Sequence, residues 1–104
     1  MVGLIELGRG RVLAVQAVAF SGASAQATNP FGPSTFQLRL CANAACHYRV
    51  GNGTLAATTS DVFLPANSIE YVMVTPGESI AAIEAATNGL VTATAGTLNV
   101  TELG

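Results

Sequence analysis

Apolar and polar residues alternate along short stretches of this chain, and Gly, Pro and Asn interrupt them at intervals too short for helices. The clearest alternation starts at Thr35, where Phe36, Leu38 and Leu40 fall on one side and Gln37 and Arg39 on the other, which predicts a half-buried strand. Residues 46–50 repeat the pattern, with Cys46, Tyr48 and Val50 inward and His47 and Arg49 outward. With Asn43-Ala44 near the turn, the two strands are expected to form a hairpin, whose outward row then collects Gln37, Arg39, His47 and Arg49. Gly51-Asn52-Gly53 supplies the next turn, and residues 60–64 predict a short edge strand that stops at Pro65. Ile69, Tyr71 and Met73 share one face of the strand after that, with Tyr71, like Tyr48, expected to point inward. Thr75-Pro76-Gly77-Glu78 has the proline-glycine order of a type II turn, after which the chain is expected to double back through residues 80–84. Asn88-Gly89 and Ala95-Gly96 mark two more turns, and Leu98 with Val100 a last strand.

Residues 12–20 are apolar except for Gln16, as in a strand covered on both faces. A helix also fits this run, but three valines and the lack of a capping residue before Arg11 favour the strand. Residues 21–34 read as a long loop ending in Thr28-Asn29-Pro30-Phe31-Gly32-Pro33, whose prolines forbid a continuing ladder. So long a loop in a small domain is expected to be an arm that reaches a neighbouring subunit. Seven or eight short strands without a convincing helix predict an all-β fold, a compact antiparallel β-sandwich or small barrel of jelly-roll type. The 104 residues suffice for a single domain, with an N-terminal arm or strand over about residues 1–11.

Composition changes the picture in one respect. Half the residues are hydrophobic and only 10% are charged, with no lysine and no tryptophan. A globular surface usually carries roughly 25–35% charged residues, so part of this exterior is expected to be covered by neighbours. The net charge of −2 comes from scattered single charges, which argues against direct contact with nucleic acid. Arg9, Arg11, the run that follows and Ala23-Ser24-Ala25 imitate an export signal, but Glu6, the early Leu4, Ile5 and Leu7, and Gln16 interrupt its pattern. The run is also too short to span a bilayer, which needs about 20 residues, so no membrane contact is expected. Cys41 and Cys46 are expected to be reduced core thiols in a chain that is not secreted, although a tight hairpin would let them meet.

Candidate chemistry is sparse. His47, the only histidine, adjoins Cys46, but neighbours in a strand point to opposite faces and cannot form a nucleophile–base pair. Cys41-Ala42-Asn43-Ala44-Ala45-Cys46-His47 has two residues too many for a haem-attachment motif, and two Cys with one His fall short of a zinc set. Asp61, Glu70, Glu78 and Glu84 are single acids in or beside turns, and Gly8-Arg9-Gly10 lacks the frame of a phosphate loop. Asn52-Gly53-Thr54 and Asn99-Val100-Thr101 match a glycosylation pattern that has meaning only in secreted chains. No catalytic residue, metal or cofactor is expected. With every basic side chain an arginine, a residue suited to bidentate contacts at interfaces, Arg39 and Arg49 are candidates to meet acids of a neighbouring subunit. His47, in the same row, and Asn29, Pro30, Phe31 and Pro33, in the loop, complete the candidate interface.

Several phrases together resemble small virion proteins of tailed bacteriophages. They are Asn29-Pro30-Phe31-Gly32-Pro33 before Phe36-Gln37-Leu38-Arg39-Leu40, Cys46-His47-Tyr48-Arg49-Val50-Gly51, Leu64-Pro65-Ala66-Asn67, and Val74-Thr75-Pro76-Gly77-Glu78-Ser79-Ile80-Ala81. The likeness covers residues 29–104 and rests on turn phrases, not on a catalytic signature. It implies a capsid decoration or cement protein, made in the host cytoplasm, that sits on the outer shell of the virion as a trimer or dimer, binds the major capsid protein and ties capsomers together. A ring protein of the tail or head–tail junction is the first alternative. A carbohydrate-binding β-sandwich module is the second, though such modules stack sugars on exposed aromatics and both tyrosines are expected inward.

Overall fold

The computed structural model describes residues 10–88 and 91–104. Most of the expected N-terminal arm, and Gly89 of the expected Asn88-Gly89 turn, lie outside the described residues. The strands are β1 (Val12–Phe20), β2 (Ala25–Gln26), β3 (Gln37–Ala42), β4 (Cys46–Gly51), β5 (Val62–Leu64), β6 (Ile69–Met73), β7 (Ser79–Glu84) and β8 (Gly96–Leu103). They form two four-stranded sheets, ordered β1-β8-β3-β6 and β2-β7-β4-β5, and every pairing is antiparallel. The fold is the expected all-β sandwich.

Alternation builds the core from both sides. Leu38 and Leu40 of β3, Leu98 and Val100 of β8 and Val18 and Phe20 of β1 face Cys46 and Tyr48 of β4, Leu64 of β5 and Ile80 and Ala82 of β7. Each large apolar side chain buried in this way stabilises the fold by about 1.5–3 kcal/mol relative to leaving it in water.

The connections differ from those the sequence predicts. β3 lies between β8 and β6, whereas β4 lies between β7 and β5, so the residues around Asn43-Ala44 form a corner that carries the chain from one sheet to the other. Asn43 is tied to β8: its N–H donates to Thr97 O at 3.3 Å, and its Oδ1 accepts the Thr97 N–H at 2.8 Å. A Cβ at Gly96 would stand 2.5 Å from Asn43 Oδ1, so the corner needs glycine there. Local spacing resembles that of a hairpin, but β8 supplies the bonds that a hairpin partner would have made. The expected row is split as a result, with Gln37 and Arg39 outside one sheet and His47 and Arg49 outside the other.

The Thr75-Pro76-Gly77-Glu78 turn forms as expected, with Gly77 at φ 88° and the Glu78 N–H donating to Thr75 O at 3.2 Å. It too leads between sheets, because β6 pairs with β3 and β7 with β4 and β2, not with each other. β5 is the expected edge strand beside Pro65.

The loop expected to reach outward folds onto its own body. Phe31 is 3% exposed within the core, its N–H donates to Glu78 O at 2.7 Å, and its carbonyl accepts the Gly77 N–H at 3.0 Å. The buried Glu102 anchors the next turn, with Oε1 accepting the Gly32 N–H at 2.9 Å and the Thr35 hydroxyl at 2.7 Å. Gln16 grips Asn29 from β1, donating to its carbonyl at 2.8 Å and accepting its N–H at 3.2 Å. Phe36, expected inward, precedes β3 and is 53% exposed.

Candidate functional site

The outer surface of the β1-β8-β3-β6 sheet is built by register. Val15, Thr101, Arg39 and Tyr71 form one cross-strand row. Ala17, Asn99, Cys41 and Ile69 form the next. On the other side of the central row, Gln37 lies between Leu103 and Met73, and Val12 flanks Leu103 at a bulge in β1. Met73 is 69% exposed, Val15 57%, Ile69 51% and Tyr71 38%, and Val12 and Leu13 are exposed beside them. Among the described residues Arg39, between Thr101 and Tyr71, is the one charged residue on this apolar surface. Among the described residues the one salt bridge is elsewhere, so no carboxylate pairs with Arg39 there.

The other sheet carries its polar groups differently. Arg49, a candidate for an acid of a neighbour, donates through Nε to Asp61 Oδ1 of its own chain at 3.1 Å. The Thr58 N–H donates to Asp61 Oδ2 at 2.7 Å, and His47 Nδ1 lies 2.9 Å from the Asp61 carbonyl oxygen. The Thr58 backbone bond, followed by Arg49, holds the Asp61 carboxyl below its ordinary range. The His47 ring also leans on Phe63, with centroids 5.4 Å apart. His47 and Arg49 therefore belong to a self-contained network around Asp61.

Of the other candidates, Asn29, Pro30 and Pro33 are exposed on the folded-back loop, while Phe31 is inside the core. Cys41, expected in the core, lies half-buried on the outer surface, and Cys46 is fully buried; both thiols are free. Cys46 points inward and His47 outward, so the two do not pair. Burial, with the charge of Glu70 adding to it, pushes the Cys46 thiol up to about 11. It stays protonated at neutral pH, which makes it a poor nucleophile. Tyr48 donates to Glu70 Oε1 at 3.2 Å across the gap between sheets, and burial, then Glu70, pushes its hydroxyl up to about 12.

Tyr71, expected inward, is on the outside, and with Val15, Ile69 and Met73 it makes up the surface that sequence reasoning missed. The alternation of β6 assigned its phase correctly but not its core side, which holds Glu70 and Val72. The sequence carried no signal of this, because a charged Glu70 reads as the solvent side, and only its bond with Tyr48 between the sheets places it toward the core. Among the described residues no three His, Cys, Asp or Glu side chains gather as metal ligands, and no helix is long and apolar enough to cross a membrane. Protein-family models, curated proteins and solved structures contain no match to this chain.

Proposed function

We propose that this chain is a non-enzymatic structural protein of a virion, a capsid decoration or cement subunit that lays the outer surface of the β1-β8-β3-β6 sheet on the major capsid protein. The observation that carries this reading is the exposed apolar surface around Arg39. Large exposed apolar patches mark interaction sites, and arginine among aromatics and methionine is the composition typical of interface centres. A site made of contacts needs no turnover. Subunits at capsomer junctions would stabilise the assembled shell by binding it and not its free parts.

Tyr71 gives a sugar a single aromatic to stack on, with Ile69 and Met73 on either side of it along β6, which favours an apolar contact over a sugar site. Whole-particle imaging together with a binding assay on purified capsids tests the proposal. Subunits are expected on the outer shell, and Met73→Glu and Arg39→Glu are each expected to weaken capsid binding at least tenfold while leaving the fold intact. Density only along the tail axis would assign the chain to a tail or junction ring, and unchanged capsid binding by both variants would overturn the proposed surface.

A further inference from the structure

The sheet orders leave four edge strands, β1, β6, β2 and β5, and three of them are blunted. β2 has two residues, β5 has three and runs into Pro65, and β6 turns a charged Glu70 toward the core side of its edge. Short strands, proline and inward charges are the devices that keep sheet edges from pairing with other chains. β1 has none of these three: it runs nine residues without a charge or a proline, residues 11–15 are exposed without interruption, and its one irregularity, a bulge between Val12 and Ala14, leaves residues 14–20 in regular register.

Its free side offers a ladder. The Asn43–Thr97 bond makes the odd-numbered residues of β8 those that bond β3, so its even-numbered residues bond β1. Val15, Ala17 and Ala19 accordingly turn their N–H and C=O groups off the free edge. None of these groups has a partner from outside the sheet among the described residues.

We infer that β1 pairs antiparallel with β1 of a second copy of this chain, joining two four-stranded sheets into one continuous sheet across a two-fold axis. Centred on Gln16, the pairing sets Val12 opposite the partner's Phe20 and Val15 opposite the partner's Ala17, so the groups left open on each edge meet each other. Charge favours this occupant and this direction. A parallel arrangement would set the two Arg11 side chains beside each other, whereas the antiparallel one holds them about 30 Å apart. It brings each Arg11 opposite the partner's Ser21, beside a carboxylate: the Glu84 N–H donates to Ser21 O at 2.9 Å, and Glu84 Oε1 is 3.0 Å from where a Cβ on the adjacent Gly22 would stand. Neither Arg11 nor Glu84 has an ion-pair partner among the described residues of its own chain. The interface closes on itself, as a two-fold contact does, and consumes the exposed edge. It does not rest on the capsid reading, because it uses the edge of the sheet and not its outer surface.

Sedimentation of the full chain over a range of concentrations tests this. A species of twice the 10.5 kDa chain mass is expected. Ala17→Pro, which removes a free-edge N–H and no bond to β8, is expected to leave a monomer with an unchanged β spectrum. Because a proline also tests the fold of β1 itself, the charges give the second test. Arg11→Glu and Glu84→Arg are each expected to raise the dimer dissociation constant roughly tenfold, since two symmetry-related ion pairs are lost, and the double exchange to restore it. A monomer at all concentrations, or an oligomer that both charge reversals leave unchanged, would overturn the inference.

Discussion

On the outside of the β2-β7-β4-β5 sheet the chain covers itself. The Ala57 N–H donates to Ser24 Oγ at 2.8 Å and the Leu55 N–H to Gln26 Oε1 at 3.0 Å, which holds a segment of loop over the sheet and buries Ala81 beneath it. Asp61 gathers Thr58, Arg49 and His47 at the far edge. On the outside of the β1-β8-β3-β6 sheet, Val15, Ile69, Tyr71 and Met73 stay exposed around Arg39, which no carboxylate pairs among the described residues. Among the described residues one outer surface thus carries a covering loop and a polar network, with Val62 and Phe63 of β5 exposed at its edge, and the other carries the broader apolar surface. It is on this exposed apolar surface that the proposed function rests.

Four experiments break or sharpen this contrast. The largest effect belongs to the loop that the sequence assigns to a partner and the structure assigns to the core: Phe31→Ala is expected to destabilise the fold by about 3–5 kcal/mol, as aromatic truncation in a core does. Its denaturation midpoint checks this, and a loss below about 1 kcal/mol would return Phe31 to the surface. Glu102→Ala comes next, because it strips the Gly32 and Thr35 donors of a buried acceptor at a cost of about 1–3 kcal/mol. Faster proteolytic cleavage within residues 28–36 is the matching local readout.

Alkaline titration follows. The Cys46 thiol is raised from 9.0 to about 11 and the Tyr48 hydroxyl from 10.0 to about 12, so both favour the fold while protonated. Their contribution is complete below pH 9, declines as pH rises above the unfolded values, and is gone once the folded values are passed. Stability is therefore expected to fall between pH 9 and 12, and Cys46→Ser with Tyr48→Phe to flatten that decline; an unaltered slope would mean that other groups govern it. The smallest effect is expected from Arg49→Ala, which removes an ion pair from the surface that the chain already covers. Its melting point is expected to stay near that of the parent and, under the proposed function, capsid binding to be unchanged, whereas Arg39→Glu is expected to leave stability alike and weaken binding. Equal losses of binding for the two would erase the distinction between the surfaces.

Thiol labelling separates the two cysteines without altering the chain, since half-buried Cys41 is expected to react in the native state and buried Cys46 only on opening. Sequence reasoning placed both in the core, and the reason is instructive. Cys41 and Leu40 are adjacent and must face opposite sides, so the alternation that puts Leu38 and Leu40 inward already places Cys41 outside, and only the apolar character of a thiol argues for the core. β6 shows the same limit, since its apolar trio reads as a core face until Glu70 is found bonded to Tyr48 between the sheets. The turn at Thr75-Pro76-Gly77-Glu78 was legible because its geometry is local, with one glycine at positive φ and one bond across four residues.

From the order of residues alone follow the all-β class, the strand phases of β3 and β4, the edge position of β5 and a composition poor in charge. These depend on interactions within a few residues or on sums over the whole chain. Which strands became neighbours did not follow, nor did the split of the arginine row, the burial of Phe31 or the exposure of Met73. Each of these is settled by contacts between residues far apart in the chain, such as Asn43 with Thr97 and Thr35 with Glu102. Residues near a corner carry no mark of the sheet that will claim them, because the free energy that decides it is gained only when the two sheets close on one core.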